Sequence, residues 1–492
     1  MRLRSFTMGG QRMAIRNIVS VVATILLFLF MPLSCAINPV TGKNEFMLVS
    51  EQDEIALGKQ ADQELEQIYG FYENKELADY VDRVGQSLAE NTQRPDNEYH
   101  FKVLDTPVVN AFAVPGGYVY VTRGILAYMN DEAELAGVLG HELGHENARH
   151  IAQQMSRQQI TQIGFSVGMM ISEEFRNYSG LTQLGISMLF LKFSRDDERQ
   201  ADDLGVEYGS KSGYDMYRMA SFFETLERLN PAGGSLPEWF STHPDPGNRV
   251  TAVTDKTAEW HQKLDRTGYA IRHDNYLNML DGIVFGEDPL QGYMEGDAFY
   301  HPTMRFTFPV PAGWQVLNTP SQVQIVSDKQ DAVILLMQDK AASVSGAADR
   351  FIQDAGAEVR SREKLTINGY QAEKVIAGLI SGQDTLRTMS CFIAKEGAVY
   401  AFHGMTRWNQ YPQYSPAFSR TIGGFRDLDD PSKINVNPEK IIVKTTTREG
   451  SLKTVLKQFG ISDEELQNQA VLNGMRLEDD VKAGTLIKLV VK

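Results

Sequence analysis

Residues 131–151, DEAELAGVLGHELGHENARHI, contain no proline and repeat apolar residues at helical spacing, which predicts one helix. It carries His141 and His145, two of only nine histidines in the chain. Residues on a helix advance by about 100°, so side chains four apart stand about 40° from one another, one turn along the same face. Both imidazoles can therefore reach one cation. Glu142 is offset enough to hold a water beside it. The pattern is H-E-x-x-H, the zinc pair and general base of a metalloprotease; the competing reading is two histidines placed by accident, so a third ligand must decide. His150 is not that ligand, because on a continuous helix it lies well off the face of His145. It reads as a structural or surface histidine. Ala148 and Ile151 occupy the glycine and histidine places of the longer H-E-x-x-H-x-x-G-x-x-H pattern, which excludes it.

A carboxylate on a second helix can complete the set. FSRDDERQADDLGVEYG, residues 193–209, supplies Glu198 and Asp202 four apart on one face, with small Gly205 where two helices can approach. Glu198 would give a His2Glu site. Asp202 would accept from the free ring N–H of a liganding histidine and fix its tautomer. Without the histidine pair, this helix would read as a solvated charged face.

HELGH at 141, SRDDERQAD at 194 and FSTHPDPGNR at 240, in this order, resemble the zinc peptidase family that includes HtpX, BepA and the CAAX prenyl endopeptidases. The resemblance covers about residues 40–265 and lies closest to the exported members. It implies a gluzincin peptidase with one zinc held by His141, His145 and Glu198, and Glu142 as base. It places His243 at the site mouth, supported by Arg249. There His243 would either donate to the oxyanion of the attacked peptide or fill the open zinc position at rest. NAFA, residues 110–113, resembles the strand edge on which gluzincins pair an extended substrate, with Asn110 and Ala111 facing its backbone; its plainer reading is a buried strand end. Recognition through backbone implies an unfolded or extended polypeptide as partner.

The rest of the chain bears on where such a site works. Arginines precede an uncharged run ending in PLSC, and its sixteen residues Ile18–Leu33 fall short of the roughly 20 that a spanning helix needs. Residues 1–34 therefore read as an export signal. PLSC resembles a bacterial lipobox with Cys35 as the lipid-bearing residue, although Pro32 stands where leucine is usual. That implies a periplasmic protein held to the outer membrane by a lipid anchor. The apolar runs GFSVGMMI and LGISMLFLKF, residues 164–171 and 184–193, read as part of a lid. The formal net charge of −15 without a basic stripe excludes nucleic acid as a partner. Cys391 lies in an apolar strand and reads as buried packing; His301, His403 and Trp314 have no motif around them and read as packing or surface.

The expected fold class is α+β: a mostly helical zinc peptidase domain with a small sheet over 35–290, an α/β sandwich over 296–430, and a βααβ module over 437–492. SEQDEIALGKQADQELEQIY predicts an early helix capped by Ser50 and Asp53, with Ile55, Leu65 and Ile68 near one face. The opening strands of the second domain faintly resemble PsbP. The last module resembles LysM, which implies a peptidoglycan partner; Glu449–Leu452 departs from the usual Gly-Asp-Thr-Leu. The function expected is endoproteolysis of unfolded or misassembled envelope polypeptides. Its rival is a cell-wall-tethered binding or chaperone-like protein with a structural metal.

Overall fold

The computed structural model describes residues 35–161, 192–229, 238–244, 248–381 and 384–492. The export segment and all but the last two residues of the lid runs lie outside them. After a two-stranded antiparallel hairpin of Cys35–Ile37 and Asn44–Phe46 comes helix α1 (Glu51–Tyr69), started by a reciprocal Ser50–Asp53 capping box. Its buried face is Glu54, Gly58, Ala61 and Leu65, spaced four, three and four apart. Ile55 is instead 49% exposed, because its neighbour Glu54 takes the inward position to meet Arg149. Helix α2 (Lys75–Ala89) follows, then strands β1 (His100–Leu104), β2 (Ala111–Val114) and β3 (Tyr118–Thr122). β1 runs parallel to β3 and β2 antiparallel to it, in the order β1-β3-β2, so β2 is an edge strand among the described residues.

Helices α3 (Arg123–Tyr128), α4 (Glu132–Asn147), α5 (His150–Thr161), α6 (Arg195–Ser212), α7 (Tyr217–Arg228), α8 (Arg249–Leu264) and α9 (His273–Leu280) complete the first region. Leu135, Val138, Leu139 and Leu143 of α4 are at most 1% exposed, each worth roughly 1.5–3 kcal/mol of burial. α4 lies against α6 at backbone contact. A Cβ on Gly205 would come within 2.9 Å of His141 N, and one on Gly144 within 2.9 Å of Ala201 O. These glycines let the histidine helix and the carboxylate helix approach closely enough to share a site.

The predicted single helix 131–151 is two. α4 ends at Asn147, Arg149 takes a left-handed φ of 57°, and α5 starts at His150. The break is held rather than frayed: Arg149 donates from Nε to Glu54 Oε1 at 3.0 Å and from Nη2 to Val49 O at 3.1 Å.

The second region is a seven-stranded antiparallel sheet. Its strands lie in the order Gln315–Asn318, Gln322–Val326, Ala332–Asp339, Ala398–Arg407, Asp384–Lys395, Tyr370–Ser381, Glu358–Ile367. Alternation sends Ile334, Leu336 and Phe402 to one face, against helix Tyr411–Gly423 and a small four-stranded sheet. Leu335, Ala401 and Phe392 face helix Val344–Asp354 on the other side.

The final segment has strand Glu439–Thr445, helices Leu452–Gln458 and Leu466–Leu472, and strand Leu486–Val491. It is stitched to the first region. Glu439–Thr445 lies between Leu486–Val491 and the two-residue strand Val284–Phe285, and Ile441 and Leu472 belong to the first region's core. Buried Lys488 donates to the carbonyls of Ala127 and Met129 at 2.7 and 2.6 Å, just ahead of α4. Among the described residues no helix is long and apolar enough to cross a membrane.

Candidate metal centre

Four side chains converge where α4, α6 and the turn after the short helix Glu238–Thr242 meet: His141, His145, Glu198 and His243, all buried. α4 presents both histidines from one face, as the spacing required. The reciprocal Ser194–Asp197 capping box starts α6 so that Glu198 points inward in its first turn. His141 Nε2 stands 3.1 Å from His145 Nε2 and 3.3 Å from His243 Nδ1. Glu198 Oε1 stands 3.4 Å from His145 Nε2 and 3.1 Å from His243 Nδ1. Zinc bonds of about 2.0–2.2 Å in a tetrahedron put ligand atoms about 3.3–3.6 Å apart. These four separations, 3.1–3.4 Å, lie at or just below that spacing, and all four donors fall within 4.8 Å of one another, a group that could hold one zinc.

The chemistry of the donor set agrees. Among the described residues Glu142 Oε1, Glu198 Oε2 and His243 Nε2 are buried with no hydrogen-bond partner, although Arg249 Nη2 stands 3.5 Å from Glu198 Oε2; buried polar atoms left so are costly unless a cation or substrate is met there. Burial, reinforced by the Arg249 guanidinium and His145, holds His141 well below the usual imidazole range, so it is neutral and its lone pair is available. Burial pushes Glu198 up, but His243 and His145 outweigh it and keep the carboxylate ionised well below its usual range. Burial and the neighbouring Glu198 push Glu142 well above the ordinary carboxyl value, opposed by Arg249 and the Ala113 N–H of β2.

Outer partners fix the rings. His141 Nδ1 donates to Asp202 Oδ1 at 2.9 Å, leaving Nε2 for a metal. Asp202 is held by Arg249, whose Nε and Nη2 donate to its two oxygens at 2.8 and 2.7 Å. The sequence places Arg249 near His243; the structure puts its guanidinium on Asp202 and over the Phe223 ring, 4.0 Å from the centroid. His243 lies inside the donor set, its Nε2 3.7 Å from Glu142 Oε1. Asn110 is buried, its Oδ1 without a hydrogen-bond partner, and leads into edge strand β2, where Ala111 is also buried.

Three contacts are invisible in the sequence motifs. Phe193 stacks on His145 with centroids 3.9 Å apart, and Trp239 stacks on His243 at 4.2 Å. Their signal was positional: an aromatic just before the α6 cap, and another four residues before His243. The third is His150, which is 3% exposed rather than at the surface, with Nδ1 2.9 Å from His145 Nδ1. The left-handed Arg149 folds it back, an outcome helical geometry alone excludes.

Residues 75–257 match the model of peptidase family M48. The chain is 29% identical over 188 residues to the beta-barrel assembly-enhancing protease of Yersinia pestis, covering 37% of this chain and 39% of that one. It is 33% identical over 147 residues to the mitochondrial metalloendopeptidase OMA1 of Arabidopsis thaliana, covering 30% and 29%. The match thus spans about two fifths of the length of the assembly-enhancing proteases. Against a solved cyanobacterial PsbP from Synechocystis the identity is 13% and the TM-score 0.23, covering 26% of this chain and 91% of that one, a score that fixes no fold.

Proposed function

We propose that this chain, which carries a zinc metallopeptidase domain of family M48 over residues 75–257, is an endopeptidase that cuts extended segments of unfolded or misassembled envelope polypeptides. The observation that carries the reading is Glu142: a buried carboxylate with an unpartnered oxygen beside a complete donor set, useless to a purely structural metal. His141, His145 and Glu198 would hold the zinc. The chemistry it supplies when bound is Lewis acidity, which makes water a nucleophile near neutral pH and polarises a carbonyl. Glu142 takes the proton from the attacking water and returns it to the leaving amine. β2 adds the substrate as a further strand through the edge that is unpaired among the described residues, with Asn110 and Ala111 at the start of that edge. Asp202 and Arg249 keep His141 in the tautomer that leaves Nε2 unprotonated.

His243 Nδ1 lies 3.3 Å from His141 Nε2 and 3.1 Å from Glu198 Oε1, and we read it as a residue that would hold the metal's fourth position at rest or would face the oxyanion when substrate is bound. A cobalt-substituted protein should change its visible spectrum on His243→Ala; an unchanged spectrum contradicts this role. Lipidation at Cys35, a periplasmic face on the outer membrane and peptidoglycan contact through the final segment complete the proposal. The name of the assembly-enhancing relatives favours envelope substrates. In the test of the activity, Glu142→Gln keeps about one zinc per chain while casein hydrolysis falls by about 10²–10⁴-fold. Equal cleavage by the variant would favour the rival reading of a binding protein with a structural metal.

A further inference from the structure

The two α4 histidines are supported from behind in different ways. His141 leans on the Asp202 carboxyl group, which Arg249 holds. His145 leans on a second imidazole. Its Nε2 faces the donor set, 3.1 Å from His141 Nε2 and 3.4 Å from Glu198 Oε1, so a metal held there would leave its proton on Nδ1. Nδ1 lies 2.9 Å from Nδ1 of His150, which must then accept, placing the His150 proton on Nε2. That nitrogen lies 2.8 Å from Gln200 Oε1, a carbonyl oxygen that only accepts. Asp197 Oδ1, 3.7 Å from the same nitrogen, is a second acceptor facing it, and with the metal in place each assignment sets the next.

From this we infer that His150 and Gln200 form a neutral relay that positions His145 and retains the metal. Three features make it a built arrangement. Arg149 holds the left-handed φ that turns His150 back, and is itself anchored to Glu54 and Val49. His150 is buried. Gln200 stands on α6 between Glu198 and Asp202, so one helix supplies the carboxylate ligand and the outer support of both histidines. Gln200 is half-buried and borders a groove with Asp203, Lys256 and Trp260, so the relay runs from the metal site to the surface.

The inference rests on the metallopeptidase reading, and its test separates the two. Zinc affinity of the full chain is measured by competition with a chromogenic chelator, alongside the melting temperature of the zinc-free protein. His150→Leu and Gln200→Leu are each expected to weaken zinc binding by about 10- to 100-fold. His150→Asn, whose Oδ1 can take the place of Nδ1 but which no longer reaches Gln200, should restore part of it. The cobalt spectrum should shift in the leucine variants and return with asparagine. A general packing defect would not be rescued by the smaller, polar side chain. Should His150→Leu fail to fold, Gln200→Leu at the half-exposed end decides. Leucine variants holding zinc within twofold of the unaltered chain overturn the relay alone; an unaltered chain that holds no zinc overturns the metallopeptidase reading and the relay with it.

Discussion

The helical region and the sheet region both bury histidines, with different consequences. His403 of the sheet is fully buried between the Phe351 and Phe392 rings, with Nδ1 2.8 Å from Ser390 Oγ. Burial, eased slightly by Asp339, pushes it down to about 3. Among the described residues it belongs to no group of three or more metal-ligating side chains like the one around His141. His141, His145 and His243 are equally buried, yet their lone pairs meet one another and Glu198, while Asp202 and His150 hold the outer nitrogens of the α4 pair. Burial alone gives a histidine no ligand to share; convergence of ligand atoms on one point, held from behind, makes a metal site.

The comparison can be broken at its strongest point first. Asp202→Asn removes the charge that Arg249 and His141 share while keeping the volume, and zinc affinity should fall by about 10- to 100-fold, read by chelator competition. The sheet region should melt unchanged, since nothing in it touches Asp202. A smaller effect is expected in the sheet. His403 binds its proton near the ordinary imidazole value when unfolded but only near pH 3 when folded, so the unfolded state takes up the proton first as pH falls. Its contribution to stability is present above about pH 6.5 and is lost progressively between there and about pH 3. His301, also pushed down by burial, to about 4, acts in the same direction. Melting temperature against pH should therefore decline across that window, and His403→Gln should flatten the slope; an equal slope in the variant contradicts the assignment.

These two regions were also unequally legible in the sequence. The ligand spacing in HELGH and the inward Glu198 could be read because helical periodicity fixes faces over one turn, and Gly205 marked the close crossing of α4 and α6. Ser50 and Asp53 likewise announced α1. The fate of His150 could not be read, because a left-handed arginine is set by partners about a hundred residues away, Glu54 and Val49. Ile55 misled for a related reason: Glu54 is drawn inward by that same Arg149. Phe193 and Trp239 carried only proximity to a cap and a histidine. In the sheet, alternation foretold strands and the burial of Cys391, but the strand order, and the pairing of Glu439–Thr445 with Val284–Phe285, depend on contacts that no local pattern encodes.

The central claim is that one zinc is gripped by two imidazoles of α4 and one carboxylate of α6. Zinc X-ray absorption on the loaded full chain, compared with Glu198→Ala, addresses it most directly. The expected result is one zinc per chain in a shell of nitrogen and oxygen at about 2.0–2.2 Å with no sulfur, and loss of that shell in the variant. A sulfur-containing shell, or a shell unchanged by Glu198→Ala, would contradict the account.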